Sequence, residues 1–345
     1  MRKKLKNNYL IIIFIILSTL LNCQSKNKLF LDTDKTLSHV WQIVYRTELK
    51  PEGIPNYPEC VKKYFRHYKL DFPGVDHYFG TFRSGNYLIA THIFLPKYTV
   101  ESIYLVHGYI LHSGMFNKFI KKLIKNNYAV VAFDLPGHGF SSGDRGDIGS
   151  FNEYAKVIDD LVLKLKDTIL PPPFAIIGHS VGGAAVLEYL INYNSVFKKH
   201  LLSAPLVRSD LWDISKTGFT FFGGVVRDIP VLIRDVSSDK EYIEFIKKSD
   251  FLRNQKVPVN WVKMLFEWNK KLEQAEQIKD NVMIIQGDKD IVVEWNYNLT
   301  FLNDLIPKAK ISYIIDGKHD LFQETEHIRE DVFDISIDYL QEKVF

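Results

Sequence analysis

Phe174 to Leu190 reads FAIIGHSVGGAAVLEYL, and it sets one hydroxyl, Ser180, between Gly178 and Gly182 where an apolar run gives way to an apolar helix. A hydrophobic core has no use for a histidine, a serine and so much glycine at such a junction. A sharp turn that lifts Ser180 out of a sheet does need them, because residues packed that closely cannot carry bulky Cβ groups. The helix that follows aims its free N-terminal amides, beginning with Val181, at the place where an oxyanion would form beside the serine. Gly178-His179-Ser180-Val181-Gly182 is a G-x-S-x-G pentapeptide in the strand-then-helix context that gives it meaning. Ser180 is read as a nucleophile.

The same alternation extends on both sides of the motif. SIYLVHG (Ser102–Gly108) is followed by Met115, Phe116, Phe119, Ile120, Leu123 and Ile124 on one helical face, and AVVAFD (Ala129–Asp134) by Tyr154, Val157, Ile158, Leu161, Val162 and Leu165. Further on, HLLSAP, VMIIQG and ISYIID read as buried strands, and an amphipathic helix from about Glu326 to Lys343 closes the chain. Continuous apolar strands alternating with helices predict an α/β fold with a mostly parallel sheet covered on both faces. A hairpin precedes it, Tyr78–Arg83 and Tyr87–Leu95 about Ser84-Gly85-Asn86. The interval from Leu206 to about Gln277 lacks such strands and is rich in Trp212, Phe219, Phe221, Phe222, Trp261, Phe266 and Trp268. It is too long for a loop and reads as an inserted helical cap. The core is therefore split into 74–205 and 278–345, with 23–73 as a tether and lead-in.

A serine hydroxyl needs an imidazole to take its proton and a carboxylate to hold that imidazole in one tautomer. IIQGDKDIVV places Asp290 just after a strand, and IIDGKHDLFQE places His319 just after the next. Both project from the same sheet edge as Ser180, where open α/β sheets bind ligands. Asp290 is preferred to Asp288 as the acid. LVHGYILHSGMF ends another strand at that edge, and Gly108 lets the chain turn so that the Tyr109 amide serves as a second oxyanion donor. The Tyr109 side chain would wall the acyl pocket. His107 and His112 are read as structural. His138 and Arg145, in the glycine-rich loop Asp134–Gly146, are read as structural partners of Asp134 or Asp147. Phe219, Phe221 and Phe222 sit in GFTFFGG, which has little helical periodicity, and are expected to line an apolar entrance.

HGYILHSGMF, FDLPGHGFSSGDRGDIGSF, GHSVGGA, SAP, GDKDIVVEWNYN and GKHDLFQE occur in this order between about Phe79 and Glu324. In them the sequence resembles the α/β-hydrolase superfamily, and within it the monoacylglycerol lipase and bacterial lysophospholipase group, the serine aminopeptidase S33-like hydrolases. The resemblance implies a nucleophile, acid and base at Ser180, Asp290 and His319, and oxyanion amides at Tyr109 and Val181. It implies a serine ester hydrolase acting through an acyl-enzyme, with a lysophospholipid or monoacylglycerol as substrate and no cofactor. Hydrolases of this fold with an aspartate nucleophile, the haloalkane dehalogenases and epoxide hydrolases, are excluded by Ser180. Two alternatives stay open: an aminopeptidase-like enzyme using Asp235, Asp239, Glu241 and Glu244 for a substrate amine, and a catalytically silent surface lipoprotein that binds a partner.

The N-terminus has a separate logic. Arg2, Lys3, Lys4 and Lys6 precede the apolar run Leu10–Leu21, which has the form of a signal peptide over residues 1–22. Cys23 directly after it resembles the lipobox of bacterial lipoproteins, although Asn22 replaces the usual small residue. This predicts export to a bacterial cell envelope and a lipid anchor at Cys23. It leaves Cys60 without a disulfide partner. The formal charge of +3 rests on 44 basic and 41 acidic residues. Four of those bases lie in the leader, so the rest has one more acid than base and offers no basic surface for nucleic acid. No H-E-x-x-H or similar ligand spacing argues for a metal.

Overall fold

A computed structural model of the chain describes residues 31–342 except 54 and 223–225, with backbone alone at 31–36 and 220–222. The first strands are β1 (Val75–Ser84), β2 (Tyr87–Pro96), β3 (Ser102–Val106), β4 (Ala129–Phe133), β5 (Pro173–His179) and β6 (Lys199–Ser203). Two short strands, β7 (Asp228–Pro230) and β8 (Lys256–Pro258), pair with each other in the inserted region. The last two, β9 (Val282–Gly287) and β10 (Lys310–Ile314), return to the main sheet. Its order is β1-β2-β4-β3-β5-β6-β9-β10. β2 runs antiparallel to both neighbours, and every pairing from β4 to β10 is parallel.

The helices are α1 (Leu31–Arg46), α2 (Glu59–His67), α3 (Asn117–Lys125), α4 (Phe151–Leu165), α5 (Val181–Asn192), α6 (Trp212–Phe222), α7 (Lys240–Lys248), α8 (Val259–Leu272), α9 (Trp295–Leu305) and α10 (Glu326–Gln341). Every residue of β3, β4 and β6 is buried, as expected of parallel strands under helices on both faces. Strand periodicity separates two cores: Tyr104, Val106, Val131 and Ile176 meet α4 and α5, while Ile103, Leu105, Val130 and Ile177 meet α3 and α10. β3 lies between β4 and β5, so the chain leaves it in one direction and returns on the other side. That reversal opens a crevice beyond the carboxyl ends of the strands.

The segment expected to be a tether and lead-in is more than that from α1 onward. Val40, Val44, Val61, Tyr64, Phe65, Tyr68 and Leu70 are buried against β1 and β2. The stretch after α1 adds backbone pairing, with the Leu49 amide donating to the Thr81 carbonyl at 2.8 Å. The sequence hides this because each helix is short or polar and buries one narrow stripe. Between Leu206 and Gln277 the chain forms α6, β7, α7, β8 and α8, a largely helical insertion. α6 continues through Phe222 despite the weak periodicity of GFTFFGG.

Candidate active site

Gly178 ends β5, and Ser180 then adopts φ 54° and ψ −115°, a strained conformation for a residue with a side chain. The turn is tight enough that a Cβ at Gly178 would strike the Gly182 carbonyl, and one at Gly182 would strike the Val106 carbonyl. The Ser180 amide is anchored to the Ser203 carbonyl at 2.9 Å, and its carbonyl takes the Ala184 and Leu206 amides. The hydroxyl is thereby held at the head of α5.

His319 follows β10, and Asp290 follows β9. His319 Nε2 lies 2.9 Å from Ser180 Oγ, and its Nδ1 lies 2.8 Å from Asp290 Oδ2. Asp290 Oδ2 also accepts from Gln286 Nε2 at 3.0 Å, while Oδ1 accepts from the Val292 and Val293 amides at 2.8 and 3.3 Å. Ser180, Asp290 and His319 are all buried. In this arrangement Nδ1–H donates to the carboxylate, which leaves Nε2 to accept the serine proton. Asp288 points elsewhere, toward Lys289 at 3.4 Å.

Burial alone would push Asp290 up, but the His319 ring, the Val292 amide and Gln286 outweigh it and hold the carboxyl below its ordinary value. For His319 burial pulls down, and the charge and hydrogen bond of Asp290, with the charge of Asp320, carry the ring above its usual value. The two directions agree: each partner stabilises the charged form of the other.

Gly108 packs beside the elbow, since a Cβ there would lie 3.2 Å from Ser180 Cβ. That puts Gly108 against the Ser180 side chain, with Tyr109 next in the chain. Among the described residues neither the Tyr109 nor the Val181 amide has a hydrogen-bond acceptor. Tyr109 is fixed at three other points. Its hydroxyl donates to the Gly146 carbonyl at 2.6 Å, its carbonyl accepts from Asn254 Nδ2 at 3.3 Å, and its ring lies 4.3 Å from that of Trp261.

Sequence reasoning missed the residues behind this group. His179 Nε2 lies 3.1 Å from Asp320 Oδ1, and Asp320 Oδ2 accepts from the Tyr242 hydroxyl at 2.6 Å, so a cap helix is tied to the loop that carries His319. His179, His319 and Asp320 are the one grouping among the described residues with ligand atoms close enough to share a metal. Their atoms are already committed to one another, to Ser180 and to Asp290. Adjacency to Ser180 and His319 was the available signal for His179 and Asp320; nothing local marked Gln286 or Tyr242.

Other expected residues find different partners. His107 Nε2 accepts from the Leu135 amide, and His112 Nε2 faces Asp250 at 3.2 Å, both structural. His138 bonds the Pro136 carbonyl, and Arg145 donates to the carbonyls of Gly139 and Leu252. Neither forms the hydrogen bond or ion pair with Asp134 or Asp147 expected from sequence. Asp134 instead caps the Ser113 and Phe140 amides, because the folded loop presents N–H groups closer than any guanidinium. Phe219 packs on Phe266 at 5.5 Å and lines a cavity of about 860 Å³ between the cap and residues 144–147. That cavity is not the apolar entrance expected: Arg145, Arg227, Arg253, Lys256 and Lys263 stand in its wall with Asp144, Asp147 and Asp228. Ser180 and His319 are not in the wall, whereas Asn254 is. The Phe221 and Phe222 side chains and Cys23 lie outside the described residues. No helix among the described residues is long and apolar enough to cross a membrane.

The Hydrolase_4 family model, described as serine aminopeptidase S33, matches residues 99–326. Phospholipase YtpA of Bacillus subtilis (strain 168) is 27% identical over 246 residues, 68% of this chain and 92% of that protein. The monoacylglycerol lipase of Mycolicibacterium smegmatis is 26% identical over 201 residues, covering 55% of this chain and 70% of that one. Among solved structures, a monoacylglycerol lipase from Paleococcus ferrophilus superposes with a TM-score of 0.62 at 21% identity, over 74% of this chain and 98% of its own. A soluble variant of the Saccharomyces cerevisiae monoglyceride lipase gives 0.64 at 17% identity, over 86% and 98%.

Proposed function

The chain belongs to the Hydrolase_4 (serine aminopeptidase S33) family of α/β hydrolases and is an ester-hydrolysing enzyme of the lipase and esterase type, and from that premise we propose that it cleaves long-chain acyl esters, a lysophospholipid or monoacylglycerol, through Ser180, His319 and Asp290. The observation that carries the proposal is the unbroken hydrogen-bond chain from Ser180 Oγ through the His319 ring to Asp290, at 2.9 and 2.8 Å.

In the first half-reaction Ser180 Oγ attacks the ester carbonyl carbon and its proton passes to His319 Nε2. Asp290, bonded at Nδ1, keeps the ring in the accepting tautomer and stabilises the imidazolium that forms. The carbonyl oxygen becomes an oxyanion, received by the Val181 and Tyr109 amides. Each such donor contributes about 10²–10³ in rate where it acts only on the transition state. Collapse of the intermediate expels the alcohol, which takes the proton from His319 and leaves an acyl-serine. Water, deprotonated by the same ring, then releases the acid and restores Ser180.

The aminopeptidase alternative draws less support. Asp235 pairs with Lys318, Asp239 caps α7 and pairs with Lys118, and Glu244 pairs with Lys248, so these acids do not gather into a site for a substrate amine. The test compares the chain with its Ser180→Ala variant on a long-chain lysophosphatidylcholine, a monoacylglycerol and a short p-nitrophenyl ester. Ser180-dependent turnover that favours the two lipids is expected. Cleavage of the short ester alone would remove the substrate assignment, and no cleavage of any would leave the peptidase or the silent binding protein.

Location forms part of the same proposal. The basic head, the apolar run and Cys23 support an exported enzyme, lipid-anchored at Cys23 to a membrane of the bacterial cell envelope. Incorporation of labelled palmitate that disappears in Cys23→Ser is the expected result; equal labelling of both proteins contradicts the anchor.

A further inference from the structure

Ser180 chemistry is indifferent to what the acyl group is attached to, so the leaving group must be recognised elsewhere. The cavity of about 860 Å³ beside the cap has the chemistry to do it. Its charged side chains divide into committed and uncommitted groups. Arg145 is held by two carbonyls, Lys256 lies 3.7 Å from Asp228, and Lys263 lies 3.6 Å from Glu267. Asp147 accepts from Asn260 and from the Ile148 amide. Arg227 and Arg253 make no side-chain hydrogen bond or ion pair with any described residue, although three carboxylates share their wall. Asp144 is the one carboxylate of that wall left without such a partner among the described residues. Two guanidiniums against one carboxylate leave the uncommitted charge positive, and the planar fork of arginine suits phosphate oxygens.

Asn254 supplies an independent observation. It lines the cavity with 3% of its surface exposed, its Nδ2 is used on the Tyr109 carbonyl, and its Oδ1 is buried without a donor. A buried acceptor left unpaired is costly unless a ligand brings an O–H or N–H to it. Tyr109, the residue Asn254 holds, carries the amide assigned to the oxyanion. The cavity and the reacting carbonyl are thus joined through a single residue.

We propose that this cavity is a headgroup subsite for the glycerol phosphate portion of a lysophospholipid, with the phosphate on Arg227 and Arg253 and the free glycerol hydroxyl donating to Asn254 Oδ1. The assignment rests on the ester-hydrolase reading above and narrows it. Within that reading a phosphate-bearing lipid is preferred to uncharged monoacylglycerol.

Two lipids that differ in the phosphate alone test it: 1-oleoylglycerol and 1-oleoylglycerol 3-phosphate. The full chain is expected to favour the phosphate in kcat/KM by about tenfold or more, and added salt is expected to erode that preference, as it does for partly exposed charges. Arg227→Gln with Arg253→Gln brings the ratio toward unity, chiefly through KM, and each single replacement gives part of the loss should the pair fail to fold. Titration of glycerol 3-phosphate and of glycerol into Ser180→Ala, with and without the arginine replacements, reads the subsite without turnover. Arginine-dependent binding of glycerol 3-phosphate in a protein that hydrolyses no ester would sink the hydrolase reading and keep the subsite. Equal hydrolysis of both lipids, with a ratio untouched by the arginines, would sink the subsite and keep the hydrolase.

Discussion

The catalytic edge of the sheet and the cavity under the cap differ in how their polar atoms are used. At the edge, Ser180 Oγ, both nitrogens of His319 and both oxygens of Asp290 have partners within the protein. In the cavity, two guanidiniums and one amide oxygen have none among the described residues. A group that must move protons benefits from being fixed before the substrate arrives, whereas a group that must recognise a substrate has to keep its valence for it. On the proposed reading, preorganised chemistry and open recognition are built on separate elements, the first on strand ends of the core and the second on the insertion.

The sharpest way to break that contrast is to remove the nucleophile. Ser180→Ala is expected to lower kcat by about 10⁴ or more, measured as steady-state turnover of a long-chain ester. Asp290→Asn leaves the shape but takes away the carboxylate that fixes the ring, and a fall of about 10³–10⁴ is expected in the same assay. Gln286 donates to that carboxylate from the side, so Gln286→Leu is expected to cost less than either.

Proton occupancy comes next in size. His319 must be neutral to accept from Ser180, and its pKa is raised above the ordinary histidine value. kcat/KM is therefore expected to fall about tenfold per pH unit below a midpoint higher than about 6.5. A midpoint well below that value would contradict the balance of charges assigned to the site.

A second titration separates the core from its catalytic edge. His77 and His92 are bonded to each other at 2.8 Å inside the β1–β2 and α2 packing, and Tyr64 bonds His92 at 3.0 Å. Burial pushes His77 down to about 3 and His92 well down. Between pH 3 and 6.5 the unfolded chain binds more protons at His77 than the native one does, so stability is intact above about pH 6.5 and lost as pH falls. At pH 5 the chain is expected to be less stable than at pH 7, read as a drop in the urea midpoint. An unchanged midpoint would mean the pair is hydrated. The smallest effect concerns the cap. Phe219 packs on Phe266 and lines the proposed headgroup cavity, so Phe219→Ala is expected to raise KM for 1-oleoylglycerol 3-phosphate by about threefold to tenfold and to leave the ratio of long- to short-chain ester turnover unchanged.

The difference between the two regions also explains what the sequence revealed. Gly178, Ser180, Gly182, Asp290 and His319 announce themselves because each depends on a local conformation at a strand end. The same holds for the apolar runs that became β3 to β6. His179–Asp320 and Tyr242–Asp320 join residues 141 and 78 positions apart, and no spacing rule reaches that far. α1 and α2 were obscured because their buried faces are narrow, and Arg145 because its partners are carbonyls, which every residue possesses. Asn254 carried no signal at all: its meaning lies in the Tyr109 carbonyl it meets.

The most direct test of the central claim is the site of covalent capture. A long-chain alkyl fluorophosphonate is incubated with the full chain across pH 5 to 9, and the adduct is mapped by mass spectrometry. One adduct is expected, on Ser180, whose rate of formation falls as His319 becomes protonated and which is absent in Ser180→Ala and greatly slowed in His319→Asn. An adduct on another residue, or Ser180 labelling indifferent to His319, would show that the hydrogen-bonded chain of Ser180, His319 and Asp290 is not the engine of the reaction.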